Sequence, residues 1–254
     1  MLELSLLGSP CAALDGIPLH GTLLHKDLAL LYYLAVSGRP QPRDSLAALL
    51  WGEISEESAR RNLRKSLTEL RRHVGDHLVI ARDEITLDPA HYTVDVWMLE
   101  RFASNGIAAA DPAQLQVAAA LYRGDFLEGF RLHNAPDYEH WIYTMQERLR
   151  GTAVFVLATL AQKQAQTGEL AGAIAAQRRI LELEPWREES HRDLMLLLAK
   201  SGQQSAALAQ YKVCAKVLAA ELGVQPDAAT TAMAAHISNS APEGGTGTLL
   251  WALP

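Results

Sequence analysis

Cysteine is almost missing from this sequence: Cys11 and Cys214 are its whole supply, far apart and in no metal-ligand or redox spacing. They build neither a disulfide framework nor a zinc site, and this usage reads as a reduced, cytoplasmic protein. Long apolar runs are also missing. The longest, near Ala153 to Ala161, is broken by Thr159 and is too short to span a bilayer. The opening MLELSLLGSP lacks the basic start and long apolar core of a secretory signal, so no membrane partner is expected. None of the six lysines follows a glycine, which excludes a Walker A loop, and neither G-x-S-x-G nor H-E-x-x-H occurs. Gly244-Gly245-Thr246-Gly247 follows no strand and opens no helix, so it is a poor dinucleotide motif. His73 and His77 are four apart, but Gly75 breaks the helix between them and no third ligand is near. An enzyme is therefore not expected, and neither a cofactor nor a metal.

An overall excess of positive charge is absent too: the net charge is −6. Local distribution then matters more than the total. Residues 1–95 hold 10 Lys/Arg against 13 Asp/Glu, yet residues 58–82 hold seven bases against two acids. An acidic domain that gathers most of its bases on one segment has a local reason to do so. What the chain does have is an ordinary globular composition, 49% apolar and 20% charged over 254 residues, enough for two domains with sizeable cores.

The first 20 residues alternate short apolar stretches with turn residues, and Asp15-Gly16 predicts a hairpin in a small antiparallel sheet. A helix is predicted over about Lys26 to Ser37, ended by Gly38, Pro40 and Pro42. A short second helix runs to Leu50, with Asp44 or Ser45 as its cap, and Gly52 breaks it. A third helix begins at the N-cap candidate Ser55, with Glu56 and Glu57 in its first turn, and closes at Gly75. After it, residues 77–81 and 84–87 read as a β-hairpin with Arg82-Asp83 at the tip, ended by Pro89. Strands, three helices and a hairpin, in that order, make a winged helix-turn-helix.

The third helix carries the functional argument. With Leu63 at zero and about 100° per residue, Ala59, Leu67, Leu70 and Val74 lie within roughly 40° of it. Arg60, Arg61, Arg64, Lys65, Thr68, Arg71 and Arg72 fall between roughly 60° and 200°. A merely solvated face mixes signs, because like charges at i,i+4 repel. This one is nearly single-sign, and a polyanion would offset the repulsion. Double-stranded DNA is therefore the expected partner, with this helix in the major groove and its arginines on guanine edges or phosphates. Arg82 at the wing tip reaches the adjacent minor groove or backbone, or is simply an exposed turn residue.

From about Val94 the chain is helical and rich in Ala and Leu, punctuated by Gly151, Gly168, Gly202 and Gly223. Residues 168–184 resemble residues 202–218 at an offset of 34, pairing Gly168 with Gly202, Ala173 with Ala207, Ile174 with Leu208 and Leu160 with Leu194. That period is the tetratricopeptide signature. Trp141, Trp186, Tyr138 and Tyr143 are expected to be packing residues, and residues 238–254 a flexible tail or linker. The fold class is thus mainly α: a winged helix-turn-helix in 1–95, an all-α tetratricopeptide-like domain in 96–237, then the tail.

These residues also carry a family resemblance. HKDLALLYYLA at 25–35, RDSLAALLW at 43–51 and ARRNLRKSLTELRR at 59–72 resemble the OmpR-like winged helix of SARP-type transcriptional activators. LYRGDFL at 121–127, WREESH at 186–191 with Leu194-Met195, and ELGVQP at 221–226 resemble the bacterial transcriptional activator domain (BTAD). The resemblance spans about residues 2–237. It implies DNA binding, often as pairs on direct repeats, recruitment of RNA polymerase, and a helical module for self-association or regulation; a homodimer on DNA follows. Many members continue into an ATPase and sensor region. This chain stops at Pro254, as a short-form regulator or as part of a longer protein. The alternative reading is an interaction scaffold whose winged helix does not bind DNA; acids on the third helix would have favoured it.

Overall fold

The structure is a computed structural model and describes residues 1–107 and 109–239. It divides into two compact units at Thr159/Leu160. Of the tail expected at 238–254, Ser238 and Asn239 instead close the last helix, and residues 240–254, with the glycine motif at 244–247, lie outside the described residues.

The first unit opens with three strands, β1 (Leu2–Ser5), β2 (Cys11–Leu14) and β3 (Ile17–Pro18). β2 and β3 turn at Asp15-Gly16, where φ is +50° and +79°, the left-handed pair that a two-residue hairpin needs. Three helices follow: α1 (His25–Ser37), α2 (Arg43–Trp51) and α3 (Glu56–Val74). The two-residue β4 (Gln41–Pro42) precedes α2, and the wing is β5 (Leu78–Ile80) and β6 (Glu84–Leu87). The order expected of a winged helix-turn-helix is present.

Two strands go beyond the sequence reading. β4 pairs antiparallel with β6, making the wing a three-stranded sheet in the order β4-β6-β5. β7 (Tyr92–Val94) pairs parallel with β1, which completes a second sheet, β3-β2-β1-β7. Each is two or three residues long and is defined by a partner more than 40 residues away, so no local periodicity marks it. The cap expected of Asp44 or Ser45 is also corrected. The N-cap position of α2 falls two or three residues earlier, on an extended Pro42 that offers no side-chain cap. Ser55 does precede α3, but its hydroxyl bonds the Ser58 hydroxyl rather than the helix backbone.

α4 (Asp95–Asn105), α5 (Pro112–Leu121) and α6 (Pro136–Gln166) follow, and the division into units falls within α6. Gly151, expected to break a helix, instead lies inside α6. A glycine costs a helix only about 1 kcal/mol, which 31 residues of packed helix absorb. Tyr138 is fully buried as expected, but Tyr143 and Trp186 are 61% and 43% exposed and are not core residues.

The second unit stacks α7 (Leu170–Leu183), α8 (Glu188–Lys200), α9 (Gln204–Glu221) and α10 (Ala228–Asn239) on successive neighbours. The 34-residue repeat is structural. Gly168 and Gly202 take φ of +82° and +78°. Each donates to a carbonyl three residues back, Ala165 and Ala199, and the next amide reaches back five, Glu169 to Gln164 and Gln203 to Leu198. The same helix stop, needing a residue that tolerates the left-handed region, is written twice at the repeat distance. Ala173 and Ala207 are both fully buried. Small residues there let helix pairs approach closely, as in tetratricopeptide-like packing. Among the described residues, no helix is long and apolar enough to cross a membrane.

Candidate nucleic-acid interface

The apolar face of α3 sets which side chains it shows. Ala59, Leu63, Leu67, Leu70 and Val74 are all under 5% exposed, where α3 packs on α1 and α2. Burying that stripe fixes the helix's rotation about its axis. Arg60, Arg61, Arg64, Lys65, Thr68, Arg71 and Arg72 are then all exposed, along a helix of 19 residues, roughly 27 Å. One side of an outward-facing rod therefore carries six cations.

Their surroundings differ. Arg64, Lys65 and Arg71 have no carboxylate within ion-pair distance among the described residues. Arg60 does: its Nε lies 2.8 Å from Asp44 Oδ1 and its Nη2 3.6 Å from Glu56. The hydrogen bond to Asp44 pushes the Arg60 pKa further up. Arg72 lies 3.3 Å from Glu69, and Arg61 donates to the Ser58 hydroxyl at 3.5 Å. The nearly single-sign face is thus corrected at its ends: Asp44 of α2 meets Arg60 from outside the helix, and Glu56 and Glu69 of α3 itself meet Arg60 and Arg72. Exposed pairs of this kind are worth about 0–1 kcal/mol, little enough for a phosphate to displace. The Thr68 hydroxyl donates to the Arg64 carbonyl at 2.9 Å, so its single proton is used within the helix.

Between α3 and the wing lies an open groove lined by Arg43, Arg64, Leu67, Thr68, Glu69, Arg71, Arg72 and Ile80. Four guanidinium groups share it with one carboxylate. Arg82 is exposed at the wing tip and is not among the residues that line the groove. Arg43 is the residue that sequence reasoning missed. It stands outside the basic segment 58–82, at the start of α2, and no periodicity relates it to α3. His73 and His77 each turn Nδ1 to a backbone carbonyl of their own segment, Glu69 and Val74, at 2.9 and 2.7 Å.

A buried carboxylate anchors the first sheet. β7 leads into Asp95, whose side chain is 7% exposed. It accepts from the Leu6 amide at 2.8 and 3.0 Å, from the Leu7 amide at 3.1 Å, and from Arg123 at 2.7 Å. Arg123 belongs to the Tyr-Arg-Gly-Asp segment. The neighbouring Asp125 takes the Tyr122 hydroxyl at 2.8 Å and Arg150 at 2.9 Å, while its carbonyl accepts from Gly8. A Cβ on Gly124 would sit 3.2 Å from the Gly8 Cα and would displace the Glu128 carboxylate, so the absence of a side chain lets the two backbones approach closely. The segment fastens the start of the first sheet to the α5–α6 connection. Tyr138 from α6 adds a hydrogen bond to the Ala29 carbonyl in α1 at 3.1 Å. The family-like motif is therefore a structural clamp.

Comparison with known proteins agrees with this architecture. The family model for the bacterial transcriptional activator domain matches residues 94–238. The transcriptional regulatory protein MoaR1 of Mycobacterium bovis BCG is 26% identical over 196 residues, covering 72% of this chain and 62% of that protein. The transcriptional regulatory protein EmbR of Mycobacterium tuberculosis is 26% identical over 257 residues, covering 95% of this chain and 64% of its own length. The chain thus spans less than two thirds of the length of these two relatives. A solved structure of Mycobacterium tuberculosis EmbR in complex with a low-affinity phosphopeptide superposes with a TM-score of 0.69 at 24% identity. It covers 95% of this chain and 66% of that one, and shows that the two share a fold.

Proposed function

Because the chain belongs to the bacterial transcriptional activator domain family, we propose that it is a transcription regulator that binds specific double-stranded DNA. Residues 1–95 act as the reader. α3 enters the major groove with Arg60, Arg61, Arg64, Lys65, Thr68, Arg71 and Arg72 toward it, and Arg82 of the wing meets the flanking backbone or minor groove. Arg43 joins this set from the start of α2. Residues 96–237 pair two protomers on DNA and contact RNA polymerase, so that binding becomes activation. The pairing and polymerase roles rest on the family's properties, whereas DNA binding rests also on this chain's own surface.

One observation carries the reading: the buried stripe of α3 turns six cations outward beside a wing whose tip carries a seventh. The net charge of −6 opposes long-range attraction to DNA, so affinity comes from this cluster alone. Selecting bound sequences from a random duplex pool gives the site. On that site, Arg64→Ala with Lys65→Ala should weaken binding by about 1–3 kcal/mol for each side chain removed, with the melting temperature unchanged. If about four to six bases meet phosphates, log affinity falls against log salt with a slope near −4 to −5, roughly doubled for a pair of protomers. A well-folded double mutant with full affinity, or a flat salt response, overturns the reading.

A further inference from the structure

We propose that Arg43 is the positioning residue of the wing: it ties the first turn of α2 to the backbone on both sides of Arg82, so that the hold of Arg82 on DNA depends on Arg43. This deepens the DNA-binding reading and rests on it for the DNA part. The Arg43 Nη2 donates to the Ala81 carbonyl at 3.3 Å, and the Arg43 backbone amide donates to the Asp83 carbonyl at 3.0 Å. Ala81 and Asp83 are the two neighbours of Arg82. Across the tip itself the hairpin supplies the Ala81 amide bond to the Glu84 carbonyl at 2.9 Å. Arg43 adds two bonds to it: the side-chain bond to Ala81, which Arg43→Ala removes, and the backbone bond to Asp83, which it keeps.

The register explains why this residue can do so. β4 places Pro42 opposite Glu84, which sets the next residue, Arg43, across from Asp83. Proline at 42 cannot donate to the ladder, so the first amide available to the tip is that of Arg43. Its Nε is shielded from solvent without a partner, so the Nη2 bond to Ala81 is the polar contact that holds the side chain. Arg43 also lines the groove with Arg64, Arg71 and Arg72, against Glu69 alone. The Ala81 carbonyl offers partial negative charge that keeps Arg43 in this cationic groove. Arg82 makes no ion pair among the described residues. The backbone of the tip therefore decides where its guanidinium points.

The test has two arms on the full chain. In the first, hydrogen exchange is followed at the wing amides without DNA. Arg43→Ala should speed exchange of the Ala81 amide on the order of tenfold while amides within α3 stay protected, and unchanged exchange at Ala81 overturns the proposal. In the second, a double-mutant cycle is run on the selected duplex. Arg82→Ala should cost on the order of tenfold in the native background and less than about twofold with Arg43→Ala. Additive losses overturn the proposal. So does Arg43→Lys, if it restores full affinity while Ala81 still exchanges fast, because charge alone would then suffice. If Arg64→Ala with Lys65→Ala leaves DNA affinity unchanged, the DNA-binding reading fails instead, and the exchange arm still decides whether Arg43 holds the wing.

Discussion

The two compact units are held together in opposite ways. In Met1–Thr159 the decisive interactions join residues far apart in sequence: β1 with β7, β4 with β6, and Asp95 with Leu6, Leu7 and Arg123. In the second unit each helix packs mainly on its neighbours, and the same turn recurs 34 residues on. The difference teaches where a substitution is felt. In the first unit, breaking a single long-range interaction loosens several elements at once. In the second, equivalent positions should respond alike, because each repeat meets the same neighbours.

The largest expected effect tests the first half of that contrast. Asp95→Ala strips acceptors from the Leu6 and Leu7 amides and leaves Arg123 without its carboxylate. Orphaned buried amides cost about 1–3 kcal/mol each, so denaturant unfolding should show a loss of about 2–6 kcal/mol for the two. Asp95→Asn keeps one acceptor oxygen and should lose less. Equal losses from the two would mean that the charge, and not the amide acceptors, holds the sheet.

The second half is tested by Gly168→Ala and Gly202→Ala. Both positions are left-handed and neither added Cβ meets an atom within 4 Å, so the penalty is conformational alone, about 1–2 kcal/mol. Thermal melts should place the two variants together. A difference as large as the effect itself would end the equivalence of the repeats.

Smaller still is a pH effect where the repeat is broken by one buried imidazole. His191 is 1% exposed, with Nε2 2.8 Å from the Pro185 carbonyl and Nδ1 2.6 Å from the Gln210 amide nitrogen. The neutral ring serves both, donating to the carbonyl and accepting from the amide. Burial pushes its pKa down from the ordinary 6.5. The unfolded chain then binds this proton more readily than the folded one. Stability from this residue is complete above about pH 6.5 and is lost as pH falls through the lowered folded value. Melts at pH 7 and pH 5 should therefore differ less in His191→Gln than in the native protein; the same difference in both would clear His191 of the role. The smallest effect has the other sign. Gly151→Ala, inside α6 with open space around its Cβ, should stabilise by about 0.5–1 kcal/mol in a thermal melt.

How much is legible in the sequence depends on the range over which each signal acts. The face of α3 reads correctly from Ala59, Leu63, Leu67, Leu70 and Val74, because helical phase is a property of neighbours. The outward position of its arginines and of Thr68 follows directly. The neutralising Asp44 is not legible, since it comes from another helix. Arg43 is not legible for the same reason. Tyr143 and Trp186 read as core on residue type alone, and their positions leave them exposed.

The sequence by itself determined the local pieces: the Asp15-Gly16 turn, the helices and the stripe that orients α3, the wing hairpin, and the repeat written by Gly168 and Gly202. Each follows from dihedral preference or from a hydrophobic period read within a few turns. Only the tertiary structure decided the rest: the pairing of β4 and β7, the clamp of Asp95 and Arg123, and the groove that gathers Arg43 with Arg64 and Arg71. Those depend on which distant residues can satisfy a buried amide or a charge. A strand of two residues or a lone arginine has no period to announce it, and takes its meaning from the partner that folding brings.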